Sequence, residues 1–242
     1  MLVANTSSFS TNITSEGYGG LVGLGPNTGS VIRQKLDSSA GDAMLFRIFE
    51  QNTTSQNFIS FLLDRQSDPG DTVTGQITVS EVVPGYENVT SMPQLAVELV
   101  QKLVDENQHW QILTDKNVGV IGPDGQPIPV DSIVPNCPDG QLVAVLDSGF
   151  TLPQVPRSVS DAIYGRVQGA VYDTNIQAWT MPCGQLLNIS FNFGGVNIPI
   201  HPFDTVNNDF DYTDSNGNPK CIGAVRISSL PSFRSNVPDR AL

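Results

Sequence analysis

Apolar and polar positions alternate in short runs along this 242-residue chain, and long apolar stripes at helical spacing are few. Residues 1 to 16 are polar and rich in Ser, Thr and Asn, the composition of a loop or a fraying terminus. Gly20-Leu21-Val22-Gly23-Leu24-Gly25-Pro26 predicts a buried strand whose glycines let neighbouring backbone approach closely. A helix is expected from about Asp42, with Leu45, Ile48 and Phe49 on its apolar face. Phe58 to Leu63 and Val73 to Val79 predict two strands, with the turn between them at Pro69-Gly70.

Farther along, Leu95, Leu99 and Leu103 suit a helix while the residues around them suit strands, so 91 to 108 stays open between the two. His109 to Thr114 predicts a strand, and Val118 to Ile121 with Ile128 to Val130 predicts a hairpin turned at Asp124-Gly125. Leu142 to Leu146 is an unbroken apolar run, a strand leading straight into Asp147-Ser148-Gly149. Ser158 to Tyr172 predicts a helix, opened by a capping box of Ser158 and Asp161 and apolar along Ala162, Ile163, Val167, Ala170 and Val171. Strands are expected at Leu186 to Phe193 and at Val196 to Ile200, around Gly194-Gly195.

Composition narrows this pattern to an all-β fold. Twenty-two Gly and 17 Pro supply the turns of many short strands, with no collagen-like period. With 39% hydrophobic and 15% charged residues the chain is foldable, and its length suffices for two lobes that each bury a core. A net charge of -12 repels phosphate backbones, which makes nucleic acid a poor partner, and it reads two ways, as plain solubility or as adaptation to work near a low isoelectric point. No run of 18 apolar residues occurs, so no membrane span is predicted.

Asn-X-Ser/Thr stands at Asn5, Asn12, Asn52, Asn88 and Asn188, and glycan acceptors have meaning in a secretory pathway. Asn12, Asn52, Asn88 and Asn188 are the candidate acceptors; Asn188 opens a strand, a place where its side chain points inward. The first five residues lack the basic flank and apolar stretch of a secretory leader. Cys137, Cys183 and Cys221 form no Cys-X-X-Cys pair and have too few His neighbours for zinc, which leaves one disulfide and one odd thiol.

One carboxylate is placed where chemistry would place it. The strand ending at Leu146 delivers Asp147, and Ser148-Gly149 turns the chain at once, leaving the acid beside exposed backbone N–H groups. Two readings follow: an Asx turn that closes a strand, or one of two carboxylates that share a proton and activate a water for peptide hydrolysis. His109 and His201 lie in strand-like surroundings with no Gly-X-Ser-X-Gly or cysteine nucleophile motif, and read as structural or surface histidines. Gly20 to Gly25 has the glycine density of a phosphate loop without its Lys-Ser/Thr ending.

Val145-Leu146-Asp147-Ser148-Gly149-Phe150-Thr151-Leu152-Pro153 resembles the second active-site motif of the pepsin-like aspartic endopeptidases, whose two lobes each supply one Asp. Gly20 to Pro26 is similar to the family's first-lobe strand that threads beside the first catalytic loop. Phe58 to Leu63, Gly75 to Val79 and Gln108-His109-Trp110-Gln111-Ile112 follow in the family's order. So do the helix from Ser158, Cys183 and Cys221, and the strand from Asn188 to Gly195. In flavour the likeness is nearest the secreted fungal members.

The resemblance implies a mostly β, bilobal fold, with residues 1–90 a remnant of the first lobe and 91–242 the second lobe. It implies peptide-bond hydrolysis at acidic pH by an Asp–Asp dyad and an activated water, with Asp147 one of the pair. Ser148 and Gly149 would hold the catalytic loop and Thr151 would help position substrate; no metal or organic cofactor is implied. Family order implies a Cys183–Cys221 disulfide and a free Cys137. The partner would be an extended polypeptide, the protein secreted or vacuolar, and the complete molecule a monomer.

Departures matter as much. The family's first motif, Asp-Thr-Gly, and its Tyr-bearing flap belong before residue 20, and the chain there does not hold them. After Cys221 the family has an apolar-apolar-Gly strand beside the second Asp, which nothing from Val225 to Leu242 supplies. The chain is therefore expected to be an internal fragment, inactive alone. Asn27-Thr28-Gly29-Ser30 mimics the first motif, but an amide is no general base, and Phe150 stands where the family more often has Ser or Thr. The alternatives are a non-catalytic module binding a peptide, protein or glycan, and two copies that each lend Asp147.

Overall fold

The computed structural model of the chain describes residues 22–63, 75–98, 109–148, 152–214 and 216–228, the side chains of 208–211 excepted. The chain divides into two compact units, Met1–Thr90 and Ser91–Leu242.

In the first unit, α1 (Val31–Leu36) starts at Ser30, whose hydroxyl accepts the Arg33 N–H at 3.2 Å and so satisfies a first-turn donor. Arg33 and the Asn27 amide both reach the Asp42 carboxylate, while Asn27 Oδ1 accepts the Ala43 N–H at 2.8 Å. That knot fixes the start of α2 (Met44–Gln51), on which Leu45 is buried and Ile48 and Phe49 half-buried, the face its spacing predicts. β1 (Ile59–Leu62) and β2 (Gln76–Val79) pair antiparallel from Ile59↔Val79 to Leu62↔Gln76. Pro69-Gly70 lies outside the described residues. The strand expected at Gly20 to Pro26 is a correction: Gly20 and Leu21 are not described, and Val22 to Pro26 is irregular, joins no sheet among the described residues, and leaves Val22 60% exposed. Gly23 and Gly25 carry no side chain to bury, so an apolar run here lacks the payload that would hold it inside.

The second unit is richer in strands. It begins with β3 (Gln111–Leu113), β4 (Val120–Ile121), β5 (Val143–Val145) and β6 (Gln154–Val155). β4 turns where Asp-Gly predicts: Gly125, at φ +74, donates to Gly122 O, and Ile128 N donates to Val120 O, both at 2.9 Å. The predicted helix is half as long as expected. α3 spans Arg157–Tyr164, follows Pro156 with no side-chain cap, and gives way to a turn before β7 (Val171–Asp173). Asp161 forms no capping box; it accepts from Trp179 Nε1 at 3.0 Å and from Arg157 Nε at 3.2 Å. α3 has already ended at Tyr164, and Gly169 at φ +78 sits in the turn that follows, so Val171 serves a strand.

β8 (Ala178–Met181), β9 (Ile189–Phe193), β10 (Val196–Ile200), β11 (Val206–Thr213), β12 (Pro219–Gly223) and β13 (Arg226–Ile227) complete the unit. They form sheets in the orders β11-β12-β8-β7 and β10-β9-β4, with β13 parallel to β6 and β3 antiparallel to β5. Gly194 (φ +59) and Gly195 (φ +79) make the left-handed turn between β9 and β10. The core lies against α3: Val120, Ile128, Val159, Ile163, Tyr164 and Met181 are all fully buried. Cys183, just past β8, is disulfide-bonded to Cys221 on β12, and Cys137 is a half-buried free thiol.

Candidate active site

Asp147 stands at the exposed end of the β3–β5 pair. At the inner end Thr114 ties the pair together: its N–H donates to Leu142 O at 3.0 Å, and its hydroxyl accepts the Leu142 N–H at 2.9 Å. At the outer end the Leu146 N–H donates to Trp110 O at 2.8 Å. Between these clamps the burial of β5 falls away, from a buried Leu142 to a Leu146 that is 66% exposed, and Asp147 and Ser148 are exposed in turn. The apolar run therefore serves as a rigid arm that presents a carboxylate to solvent. Gly149 and Thr151 lie outside the described residues.

The segment that leaves the motif is anchored from the far end of the chain. Arg226 N donates to Pro153 O and Ser228 N to Val155 O, both at 2.8 Å, and Gln154 and Val155 pair with Arg226 and Ile227. The residues after Cys221 thus supply a strand after all, which pairs with the chain downstream of the motif; no strand among the described residues takes the place beside Asp147 that the resemblance implies. Tyr164 holds this anchor in place. Its hydroxyl donates to Thr205 O and accepts the Val225 N–H, each at 2.8 Å, and Ser160 Oγ donates to Val225 O at 3.1 Å. Burial pushes the Tyr164 hydroxyl pKa far up, so it stays neutral and able to donate. Nothing in the residue pattern marks Tyr164 for this role, because both its partners are distant in sequence.

The sequon asparagines divide. Asn12 lies outside the described residues. Asn52 is exposed in a turn after α2, with its carbonyl accepting from the Thr54 N–H and hydroxyl at 3.2 and 2.7 Å. Asn88 is exposed in a short 3-10 turn, Glu87–Ser91. Asn188 is exposed as well: it precedes β9, and the first residue facing the core is Ile189. Asn27, the mimic of a catalytic Asp, spends its amide on Asp42 and Ala43. Among the described residues no cluster of His, Cys, Asp and Glu is arranged to hold a metal ion, and no helix is long and apolar enough to cross a membrane.

A mostly β chain with Asp147 and Ser148 at the exposed end of an apolar strand defines a class, and comparison with known families agrees. The model of the eukaryotic aspartyl protease family matches residues 2–237, so the chain belongs to that family, and its architecture is consistent with the pepsin-like fold. A search of the curated proteins returns no match.

Proposed function

We propose that the chain carries one half of an aspartic endopeptidase site, with Asp147 as one carboxylate of a dyad that hydrolyses extended polypeptides at acidic pH. The observation that carries this reading is the place of Asp147: an acid within the span the family model matches, at the solvent end of a strand clamped at both ends to its neighbour. In such a dyad the two carboxyls share one proton and bind one water; one removes its proton as it attacks the peptide carbonyl, and the other protonates the leaving amine. Ser148 and Gly149 set the loop that aims Asp147, and Thr151 helps place the substrate. The chemistry needs no metal or organic cofactor. Asn52, Asn88 and Asn188 being exposed suits a secreted or vacuolar protein that meets the glycosylation machinery.

One Asp-Ser/Thr-Gly stands in the 242 residues, and half a dyad cannot divide the acid and base roles, so this polypeptide alone is silent. The same observation favours a second reading, a protease-like module that binds peptide, protein or glycan without cutting. The test supplies the missing half. The folded chain is combined with a first lobe bearing Asp-Thr-Gly from a family member, and cleavage of a denatured protein is followed at about pH 4, where one proton is shared. Cleavage absent from either part, present in the mixture and reduced about 10²- to 10⁴-fold by Asp147→Asn supports the dyad. Cleavage by the chain alone that Asp147→Asn removes would revive pairing of two copies; peptide capture without cleavage in the mixture would favour the binding module.

A further inference from the structure

β3 and β5 keep one register throughout: Gln111 faces Val145, Ile112 faces Ala144 and Leu113 faces Val143. Two hydrogen bonds extend it, Thr114 N to Leu142 O at the inner end and Leu146 N to Trp110 O at the outer. In an antiparallel ladder, hydrogen-bonded pairs alternate with non-hydrogen-bonded pairs, whose Cα atoms approach to about 4.5 Å. Thr114 with Leu142 and Trp110 with Leu146 stand at the positions of the first kind, each keeping one backbone bond of the two. Beyond the paired strands, continuing the same register one residue past Trp110 and Leu146 would set His109 opposite Asp147, at the position of a pair of the second kind. Directly opposed side chains leave the same face of the ladder with Cβ atoms about 4.5–5.5 Å apart. His109 is half-buried there and Asp147 exposed.

We propose that His109 is a positioning residue for Asp147, its imidazolium pairing with the carboxylate across the two strands. An ordinary imidazole takes its proton at about pH 6.5, so His109 is a cation throughout the acidic range. An ordinary Asp is partly protonated at about pH 4, and a neighbouring cation favours its charged form. In a dyad sharing one proton the pair therefore sends that proton to the other carboxyl and leaves Asp147 as the base; this consequence rests on the catalytic role proposed above, and the pairing itself does not. Among the described residues, the charged residue bonded to β3 is Glu98, whose N–H donates to Gln111 O at 2.8 Å and whose carbonyl accepts Gln111 Nε2 at 2.9 Å; Lys102, Asp105 and Glu106 lie outside the described residues. Asp115 and Lys116 follow the opposite end of β3, and Trp110 and Leu146 bring no charge.

The chain has two histidines, so its proton NMR spectrum carries two imidazole signals, with His201 as the internal reference. The midpoint of the His109 signal, assigned by its loss in His109→Gln, is expected to fall by about half a pH unit or more in Asp147→Asn while the His201 signal stays put. An unmoved His109 midpoint in Asp147→Asn overturns the proposal, as does a larger fall in Glu98→Gln, which would assign the imidazolium to Glu98. No turnover is read here. A complemented enzyme that stays inactive beside a His109 midpoint that depends on Asp147 would refute the catalytic role and leave the pair standing.

Discussion

The Asp115 carboxylate accepts the Gly194 N–H at 2.7 Å, and its second oxygen takes the Gly195 N–H at 2.8 Å. Asp115 lies just past β3 and Gly194 at the turn from β9 to β10, while the Asp115 N–H donates to Asn192 O at 2.9 Å. One side chain thus fastens the strand that pairs with β5 to the three-stranded sheet, and the platform under Asp147 inherits that attachment.

Removing the clasp should loosen the platform. Asp115→Ala leaves two turn N–H groups to water, and because the site is exposed the expected loss is near the low end for a charged acceptor, about 1–2 kcal/mol. Gly194→Ala attacks the same place differently: a Cβ would lie 2.7 Å from Leu95 Cδ2 and 3.2 Å from Pro93 Cβ, at a φ of +59 that penalises any side chain. Urea denaturation of both variants checks this; an unchanged midpoint in Asp115→Ala would show that the clasp adds nothing.

Tyr164 gives a sharper case, since its hydroxyl is buried with both partners. Tyr164→Phe keeps the ring and strands the Val225 N–H, while Thr205 O keeps the Ala224 N–H at 3.1 Å, at a cost of about 1–3 kcal/mol. Gly223→Ala should be at least as damaging, because the new Cβ would sit 2.6 Å from the Tyr164 ring. Hydrogen exchange at Val225 and Arg226 should quicken in Tyr164→Phe; protection as in the parent would show that β13 is held by other means.

Hairpins were legible where turn residues leave the backbone little choice, as at Asp124-Gly125 and Gly194-Gly195. The helix from Ser158 was overextended because Val167, Ala170 and Val171 continue its apolar spacing, and spacing takes no account of the end at Tyr164, with Gly165 next. The run from Val22 to Pro26 looks buried by composition alone, yet burial needs a facing surface, which is a property of the fold. The place of Asp147 was legible, since an apolar strand followed at once by Ser-Gly leaves few alternatives. The clasp of Asp115, the anchor of Tyr164 and the register whose continuation opposes His109 to Asp147 were not, because each joins residues from separate stretches of chain.

The Cys183–Cys221 bond joins the end of β8 to β12 and closes 38 residues of chain. A loop of that length constrains the unfolded state by about 3–4 kcal/mol in the chain-entropy account. Cys183→Ser with Cys221→Ala should therefore fall well below the parent in urea midpoint. Under non-reducing, denaturing conditions one thiol per chain, Cys137, should react with maleimide. Three reactive thiols, or a label on Cys183, would refute the pairing.

Acid tests the fold from another side, because several exposed carboxylates are tuned by local donors. The Tyr212 hydroxyl, then the Asn175 N–H, hold Asp173 below the usual carboxylate range; the Gln126 N–H does the same for Asp124, and the Asn218 N–H for Asp214. A carboxyl depressed in the folded chain contributes stability that is complete above its unfolded value, about 3.9, and is lost as pH falls through the folded value. These contributions should stand whole at about pH 5 and drain away below about pH 4. Tyr212→Phe removes the largest influence on Asp173 and leaves the others. The difference in urea midpoint between parent and Tyr212→Phe should therefore be constant from neutral pH down to about pH 4 and shrink below it. A difference that stays constant down to about pH 2 would mean that the hydroxyl acts without regard to the charge on Asp173.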